Sequence, residues 1–379
     1  MRKVVIAETA VSTSLGNDLF SSFQALLKHR SGINEITRFK TFNYRSRYGA
    51  LINCIENLKK RSLFLNLADM IIDQLKNVPK NSYLFCATTK ACIDLLETKD
   101  KIRSFDNDTD KYIIPSNICS YVAEKLNLEN NGVNISSACA SSTIAIILGA
   151  RMIINKRADS VLVFCGDIVS EFVFSGFSAL NALSLEPARP FDIARKGLTL
   201  GDGGAAILLM GEDFAKKYGF KYLTSIAGFG IASDANHITA PARDGQGLIT
   251  AVSKALKLQD IRPDHIGAIN THGTGTIYND AMEIKAFNHI FTDLEIPGNS
   301  IKGAIGHTLG GAGGIEVAMG ELMLSEKILP GTIGLSNPDK GALNFIFPND
   351  VEFSKQYLLT TNSGFGGTNA AIILKREDK

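Results

Sequence analysis

The stretch that decides the fold is Val133-Asn-Ile-Ser-Ser-Ala-Cys139-Ala-Ser-Ser-Thr-Ile-Ala-Ile-Ile-Leu-Gly-Ala150. Residues 133–136 are typical of a strand. Residues 141–150 form an apolar run that predicts a buried helix, and a second strand is predicted directly after it at 161–165. Cys139 therefore lies where a strand turns into a helix, and its small neighbours leave room for a substrate to reach the sulfur.

This position suits a nucleophile. Free N–H groups and the helix dipole at a first helical turn stabilise a thiolate, so we expect a lowered pKa for Cys139. No acidic residue lies nearby in the sequence to oppose the negative charge. The alternative is a buried structural cysteine, which is the usual fate of this residue type. The alternative fits the other five cysteines better: Cys54, Cys86, Cys92, Cys119 and Cys165.

Outward from this stretch, short β-branched runs alternate with longer helical segments, which predicts an α/β fold. Further strands are predicted at 205–209 and 266–270, and helices at 18–28, 62–76, 248–258, 279–291 and 315–327. Glycines cluster where strands are predicted to end, at 197–204, 273–275, 303–314 and 364–367. No repeat is visible in the letters, although a strand, an active loop and a helix recur around 139 and around 272.

The length of 379 residues supports two lobes. We place a soft boundary so that residues 1–218 carry Cys139 and residues 219–379 carry the later motifs. A net charge of +2 gives no basic excess for nucleic acid. The apolar run 144–154 is too short to span a membrane, so we expect a cytoplasmic protein.

The basic run, the cysteines and the histidines support further predictions. The basic run 59–61 reads as a solvated face. The six cysteines form no Cys-x-x-Cys pair, and the six histidines show no metal-ligand spacing. We therefore expect neither disulfides nor a metal.

Two histidines stand in the second half, each beside glycine in a predicted strand-to-helix loop. They are His272 in Asn270-Thr-His-Gly-Thr-Gly-Thr276 and His307 in Ser300-Ile-Lys-Gly-Ala-Ile-Gly-His307. A lone histidine is usually a core or surface residue, but two such loops can bring both rings to one thiol. A cysteine protease needs one base and one orienting amide. Two imidazoles without an obvious acidic partner instead suit hydrogen bonding to an oxygen that becomes negative, such as an enolate oxygen.

Five motifs in order now resemble the elongating β-ketoacyl-acyl carrier protein synthases of the thiolase fold, over nearly the whole chain. The motifs are Ser136-Ser-Ala-Cys139-Ala-Ser-Ser142; Arg189-Pro-Phe-Asp192 with Arg195 and Gly201-Asp-Gly203; His272-Gly-Thr-Gly-Thr276 with Asp280 and Glu283; Lys302 with Gly306-His307 and Glu316; and Asn362-Ser-Gly-Phe365-Gly-Gly-Thr-Asn369. The resemblance implies the five-layered α-β-α-β-α arrangement of two similar lobes.

The resemblance also implies a mechanism. Cys139 would take an acyl group from an acyl carrier protein as a thioester. His272 and His307 would stabilise the enolate formed when malonyl-carrier loses CO2, and the enolate would attack the acyl thioester. The N–H groups of Cys139 and Phe365 would form the oxyanion hole. The product would be a 3-oxoacyl-carrier two carbons longer.

Other roles are implied by the resemblance alone. Lys302 and Glu316 would form a buried supporting pair, where the alternative is a surface ion pair. Thr274 and Thr276 would bind the phosphopantetheine arm, where the alternative is turn chemistry. Gly364, Phe365 and Gly366 would form a gate over the acyl pocket. Asp234 and His237 would lie in the loop that faces this gate, where the alternative is an ordinary surface loop.

The implied partners are an acyl carrier protein, acyl and malonyl thioesters, and a second synthase chain in a homodimer or heterodimer. No cofactor of its own is expected, since the phosphopantetheine belongs to the carrier. The chain departs from the family at Ser363, where many members have Phe, at Phe85–Lys90 and at Asp202–Ala205. These departures leave chain length, saturation and pathway open among fatty-acid, polyene and polyketide-type lipids.

Several other functions compete with this one. A chain-length-factor-like partner subunit would typically lack the nucleophile, which is present here. A degradative thiolase would need a second cysteine near 362–369, and an initiating synthase usually has one histidine and one asparagine. A cysteine hydrolase would need water in a site that the glycine-rich loops are expected to close.

Overall fold

The computed structural model describes residues 1–57, 62–98, 110–342 and 344–377, so the basic run 59–61 lies outside the described residues. The strands, numbered along the chain, are β1 Val4–Thr13, β2 Asn34–Glu35, β3 Tyr48–Ala50, β4 Tyr83–Ala87, β5 Val133–Asn134, β6 Ser160–Asp167, β7 Leu200–Gly201, β8 Gly203–Gly211, β9 Thr224–Ser233, β10 Ile266–Asn270, β11 Gly298–Asn299, β12 Ile328–Leu329, β13 Val351–Glu352, β14 Tyr357–Gly364 and β15 Thr368–Arg376.

The helices are numbered in the same way. They are α1 Leu19–Leu27, α2 Leu63–Ile72, α3 Asp94–Thr98, α4 Ile118–Leu126, α5 Ser141–Ile154, α6 Glu171–Ala179, α7 Glu212–Lys217, α8 Gln246–Lys257, α9 Ile277–Ile290, α10 Lys302–Ile305 and α11 Ala312–Glu326. Short 3₁₀ turns lie at Asn53–Asn57, Lys111–Ile113, Pro115–Asn117, Pro263–His265, Leu309–Gly311 and Lys340–Ala342. Among the described residues, no helix is long and apolar enough to cross a membrane.

Ten strands form one sheet in the order β11-β10-β14-β15-β9-β1-β8-β6-β4-β5. The two halves join where β1 pairs antiparallel with β9, through Val4–Ile6 against Thr224–Ile226. When the strands of each half are numbered by their order along the chain, both halves have the same order across the sheet: third, second, fourth, fifth, first. The chain therefore contains a structural repeat that its letters do not show. The boundary at 218/219 stays a prediction.

Strand alternation explains the layers. Along β6, Val161, Val163 and Cys165 face a core that also contains residues of β15, α5 and α11, while Leu162 and Phe164 face a second core with α2 and α4. A third core packs α8 and α9 against β10, β14 and β15. Helices α5 and α11 therefore lie between the two half-sheets, while α2 and α4 cover the outer face of one and α8 and α9 cover the outer face of the other. This is the expected five-layered α-β-α-β-α thiolase arrangement.

Most predicted elements are found with shifted ends. The strands predicted at 161–165, 205–209 and 266–270 lie within β6, β8 and β10. The strand at 133–136 is confirmed only for Val133–Asn134, and the helix at 62–76 ends at Ile72. There, the Gln74 amide donates to the carbonyl of Met70, 2.8 Å away, and its oxygen accepts from the N–H of Val11 on β1, so a tertiary contact takes over from the helical turn.

The glycines at 313 and 314 were expected in a loop and instead lie inside α11. A Cβ on Gly313 would lie 1.9 Å from the hydroxyl of Thr143 on α5. Glycine is therefore required by the close approach of the two central helices rather than by a turn. This contact packs α5, the helix that follows Cys139, directly against α11 of the second half.

Candidate active site

Cys139 lies in the turn between β5 and α5, two residues before the helix begins. Ala138 immediately before it has φ 47°, a left-handed conformation that an alanine adopts only under strain. The hydroxyl of Ser141 accepts from the N–H of Ser137 at 2.8 Å and ties the turn together. The local backbone thus fixes the direction of the cysteine side chain.

The repeat between the halves assigns Cys139 a counterpart. Cys139 follows the third strand of its half and precedes the central helix α5, and His307 follows the third strand of the other half and precedes the central helix α11. The predicted recurrence of a strand, a loop and a helix is found around both 139 and 272, although His272 follows the second strand of its half and is not the counterpart of Cys139. The structural repeat itself brings the thiol and one imidazole together between the half-sheets.

The structure brings all three predicted catalytic side chains to one point. The sulfur of Cys139 and one ring nitrogen each of His272 and His307 lie within 4.8 Å of one another, and all three residues are buried. The two imidazoles meet edge to face with centroids 5.2 Å apart. This cluster can present a nucleophile and two hydrogen-bonding rings to one substrate carbonyl.

Two buried carboxylates on α9 hold the loop that carries His272. Glu283 accepts from the N–H groups of His272 and Gly273 at 2.8 and 2.7 Å. Asp280 accepts from the N–H groups of Thr274 and Gly275 at 3.1 Å and from the N–H of Phe191 at 2.8 Å. Both residues belong to the sequence motif around His272, which implied no role for them. In the structure they hold the backbone of the loop in place.

The three groups open into a cavity of about 410 Å³. Most of the remaining predicted site residues line it, together with the unpredicted Phe177; they are Thr274, Thr276, His237, Gly364 and Phe365. The hydroxyls of Thr274 and Thr276 lie 2.9 Å apart. The ring of Phe365 stacks on Phe177 of α6 with centroids 5.9 Å apart. The cavity is therefore apolar on one side and has hydroxyls on the other.

Lys302 and Glu316 form a fully buried ion pair, with side chains 2% and 1% exposed. The surface alternative for this pair is therefore wrong. Burial lowers the pKa of His272 and of His307 well below the usual value, and the charge of Lys302 lowers both further. Both imidazoles are consequently neutral at pH 7, which is the form that donates a hydrogen bond to an oxyanion without carrying a charge of its own.

The prediction of a lowered pKa for Cys139 is wrong. Burial raises the pKa of the thiol to about 11 and outweighs Lys302 and the N–H groups of Phe365 and Cys139, which lower it. Asp167 at the end of β6 also raises it, so an acidic residue does oppose the thiolate. The sequence could not reveal this neighbour, because Asp167 is 28 positions away in the chain and reaches the site through the fold.

The glycine loop and the loop that faces it are in contact. The N–H of Asp234 donates to the carbonyl of Gly367 at 2.7 Å, and the N–H of Gly366 donates to the carbonyl of Ile238 at 2.7 Å. The carboxylate of Asp234 accepts from the Asn369 amide, also at 2.7 Å. The geometry thus places Asp234 against the glycine loop, and its role as a gate partner stays a prediction.

Asn362 was quoted in a motif without a role, and the structure places it at the back of the site. Its amide nitrogen lies 2.7 Å from Oε2 of Glu316 and 3.2 Å from Nδ1 of His272. Its oxygen accepts from the hydroxyl of Thr143 on α5. One buried side chain therefore contacts the ion pair, the first imidazole and the helix after the nucleophile.

One thiol and two imidazoles are also a donor set that Zn²⁺ prefers. The expectation that this protein needs no metal stays a prediction. The chemistry described below uses these side chains without one.

The sequence matches two family models. Residues 85–215 match the beta-ketoacyl synthase N-terminal domain and residues 223–336 match the beta-ketoacyl synthase C-terminal domain. The chain is 30% identical to the 3-oxoacyl-[acyl-carrier-protein] synthase 2 of Vibrio cholerae, over 99% of both chains. It is also 32% identical to the ketoacyl synthase alpha subunit of the tetracenomycin polyketide synthase of Streptomyces glaucescens, over 70% of this chain and 65% of that protein.

Among solved structures, the ishigamide ketosynthase/chain length factor has a TM-score of 0.90 with this chain. The match covers 100% of both chains at 24% identity, so it establishes the fold alone.

Proposed function

Because this chain belongs to the β-ketoacyl synthase family, we propose that it is an acyltransferase that performs decarboxylative condensation of an acyl thioester with malonyl-acyl carrier protein. The observation that carries this proposal is the buried convergence of Cys139, His272 and His307 within 4.8 Å. The product is a 3-oxoacyl-carrier.

The first half-reaction loads the enzyme. The sulfur of Cys139 bonds to the acyl carbon, the bond from that carbon to the carrier sulfur breaks, and the carrier leaves as a thiol that has gained the cysteine proton. Since the pKa of the thiol in the empty site is about 11, the thiolate is a minor species at neutral pH. The proton must therefore leave as the sulfur attacks, and a neutral imidazole lies within 4.8 Å to accept it and pass it on.

The second half-reaction begins with malonyl-carrier. The bond to its carboxylate breaks, CO2 leaves, and the electron pair forms an enolate. His272 and His307 donate to the enolate oxygen, and burial makes this interaction stronger than it would be in water. Their neutral state is useful here, because a buried imidazolium would have to be desolvated as a charge.

The enolate carbon then attacks the acyl carbon held on Cys139. The carbonyl oxygen of that thioester takes up negative charge and accepts from the N–H groups of Cys139 and Phe365, the two groups that already lie within hydrogen-bonding reach of the sulfur. Collapse of this intermediate expels the cysteine sulfur, which takes up a proton from solvent to restore the thiol, and releases the 3-oxoacyl-carrier. The cycle consumes no cofactor, since the phosphopantetheine arm enters with the substrate.

We assign the supporting residues by the same logic. Thr274 and Thr276 bind the arm along the hydroxyl side of the cavity, and Phe365 closes over the acyl group against Phe177. An acyl carrier protein is the proposed partner. The names of the relatives support a pathway of fatty-acid or polyketide-type biosynthesis.

The second candidate is a partner subunit of a heterodimeric ketosynthase, like a chain length factor. The fold does not separate the two candidates, since the ishigamide ketosynthase/chain length factor shares it. The complete Cys139, His272 and His307 cluster argues for an active chain, which a dimer with a related synthase would still accommodate.

The test separates the two half-reactions. Acyl transfer to the enzyme is followed by intact mass, and CO2 release is followed with malonyl-carrier. His272→Ala and His307→Ala should each reduce CO2 release about 100-fold or more, since each removes an oxyanion donor. The loss in the loading of Cys139 should be smaller, because water in the space left by the ring can accept the thiol proton. Equal loss of both half-reactions in both variants would contradict these roles. A wild-type chain that loads only in the presence of a second synthase subunit would favour the partner-subunit function.

A further inference from the structure

The buried amide of Asn362 makes three polar contacts, and each of its polar atoms has a partner. The nitrogen reaches Glu316 and Nδ1 of His272 at 2.7 and 3.2 Å, and the oxygen accepts from the hydroxyl of Thr143. The residue is on β14, behind the wall of the cavity, and does not line it. Whatever it does for the reaction, it does through the groups that it touches.

The orientation of this amide is determined by its neighbours. Lys302 contacts one oxygen of Glu316, and the other oxygen, Oε2, accepts from the amide, which places the nitrogen of Asn362 toward it. The hydroxyl of Thr143 then donates to the oxygen on the other side. With the amide held at both ends, its second N–H points at Nδ1 of His272.

A donor at Nδ1 decides which ring nitrogen of His272 carries the proton. Neutral imidazole has one N–H and one lone pair, so a ring that accepts at Nδ1 must be protonated at Nε2. We propose that Asn362 is a positioning residue that holds His272 in the Nε2–H tautomer, so that the nitrogen left for the substrate is a donor.

This inference rests on the proposed function, because a donor is what an enolate oxygen requires. His307 has no such partner, since its buried Nδ1 lacks a hydrogen bond among the described residues. The two histidines therefore differ: the fold sets the tautomer of His272 and leaves that of His307 free to change during the cycle. Such a ring can pass a proton in one half-reaction and donate to the enolate in the next.

Gly313 and Thr143 connect the Asn362 amide to α5, the helix that follows Cys139. A Cβ on Gly313 would lie 2.7 Å from the Asn362 oxygen as well as 1.9 Å from the Thr143 hydroxyl, so this glycine leaves the space in which the two groups meet. Thr143 is one turn beyond Cys139 along the chain. The acyl-holding helix and the first imidazole are thereby linked through one amide.

The test replaces Asn362 by aspartate, which has nearly the same shape but no N–H. In Asn362→Asp the new oxygen would lie against Oε2 of Glu316, so the two acids would share one proton. With that proton held between the acids, the oxygen presents a lone pair to Nδ1 of His272 and draws the ring proton to Nδ1. A matched control is Asn66→Asp, since Asn66 is also a buried amide and donates to the carbonyl of Ile55 at 2.9 Å in the outer layer. Nitrogen-15 spectra of histidine-labelled protein report the tautomer directly, with His272→Ala identifying the signal.

We expect Asn362→Asp to move the His272 signal from the Nε2–H to the Nδ1–H pattern. The same variant should reduce CO2 release about 100-fold or more, the cost of one oxyanion donor, with a much smaller effect on the loading of Cys139. The Asn66→Asp control should keep the Nε2–H pattern and the wild-type ratio of the two half-reactions.

Three results would overturn the inference: a wild-type His272 protonated at Nδ1, an unchanged tautomer in Asn362→Asp, or a parallel loss of both half-reactions. If Asn362→Asp does not fold, Asn362→Leu carries the test, because it removes the N–H without adding an acid and should shift the same signal and ratio in the same direction. A wild-type enzyme that neither loads nor releases CO2 would refute the proposed function instead, and the tautomer would still be readable.

Discussion

Replacing Lys302 by methionine removes one half of the buried ion pair and leaves the Glu316 carboxylate without its partner. Both side chains are at most 2% exposed, so water cannot replace the lost contact. Breaking a buried pair from one side costs about 3–5 kcal/mol of folding free energy. Lys302→Met should therefore lower the free energy of unfolding at pH 7 by about that amount.

The double variant Lys302→Met/Glu316→Gln is the matched control. It removes both charges and keeps an oxygen at position 316 that can accept from the Asn362 amide, so most of the lost stability should return. Urea unfolding followed by circular dichroism gives both values. A loss below about 1 kcal/mol in the single variant, or no recovery in the double one, would refute a buried ionic pair.

The pH dependence adds an independent check. Burial raises the pKa of the Glu316 carboxyl in the folded chain, and removal of Lys302 takes away the charge that opposes this. A folded pKa above the unfolded value means that stability is lost as pH rises through that interval. The deficit of Lys302→Met should therefore be larger at pH 8 than at pH 5. A deficit that grows toward low pH would contradict the assignment.

Two further predictions concern the site. Because burial and Lys302 hold the pKa of His272 and of His307 well below 6.5, CO2 release by the acylated enzyme should stay constant from pH 8 down past pH 6.5; a midpoint at or above 6.5 in the pH profile would show that the rings are not kept neutral. Gly313→Ala places a Cβ 1.9 Å from the Thr143 hydroxyl, so thermal unfolding should show a loss of about 1–3 kcal/mol; unchanged stability would mean that α5 and α11 are less closely packed than described.

The sequence predicted the convergence of Cys139, His272 and His307 because each is marked by its local context. Cys139 has small neighbours before an apolar helix, and His272 and His307 each lie beside glycine in a strand-to-helix loop. The α/β class followed from periodicity, and the five-layered fold from the family resemblance. These signals lie in short stretches of the chain, so a single sequence is enough to detect them.

The features that the sequence did not predict depend on contacts between residues that are far apart in the chain. The pKa of Cys139 was predicted in the wrong direction, because the helix terminus was visible in the sequence and the complete burial was not. Gly313 was read as a loop residue, since a glycine that allows two helices to touch looks the same in sequence as one that allows a turn. Asn362 belonged to the C-terminal motif but had no predicted role, because its partners Thr143, His272 and Glu316 come from three different segments.

The most direct test of the account is the fate of Cys139 with its two substrates. Incubation with acyl-carrier should add one acyl group to the chain, located on Cys139 by peptide mass. Subsequent malonyl-carrier should release CO2, remove that group and yield a 3-oxoacyl-carrier two carbons longer. The account is contradicted if the acyl group is found elsewhere, if malonyl-carrier leaves it in place, or if Cys139→Ser condenses at the wild-type rate.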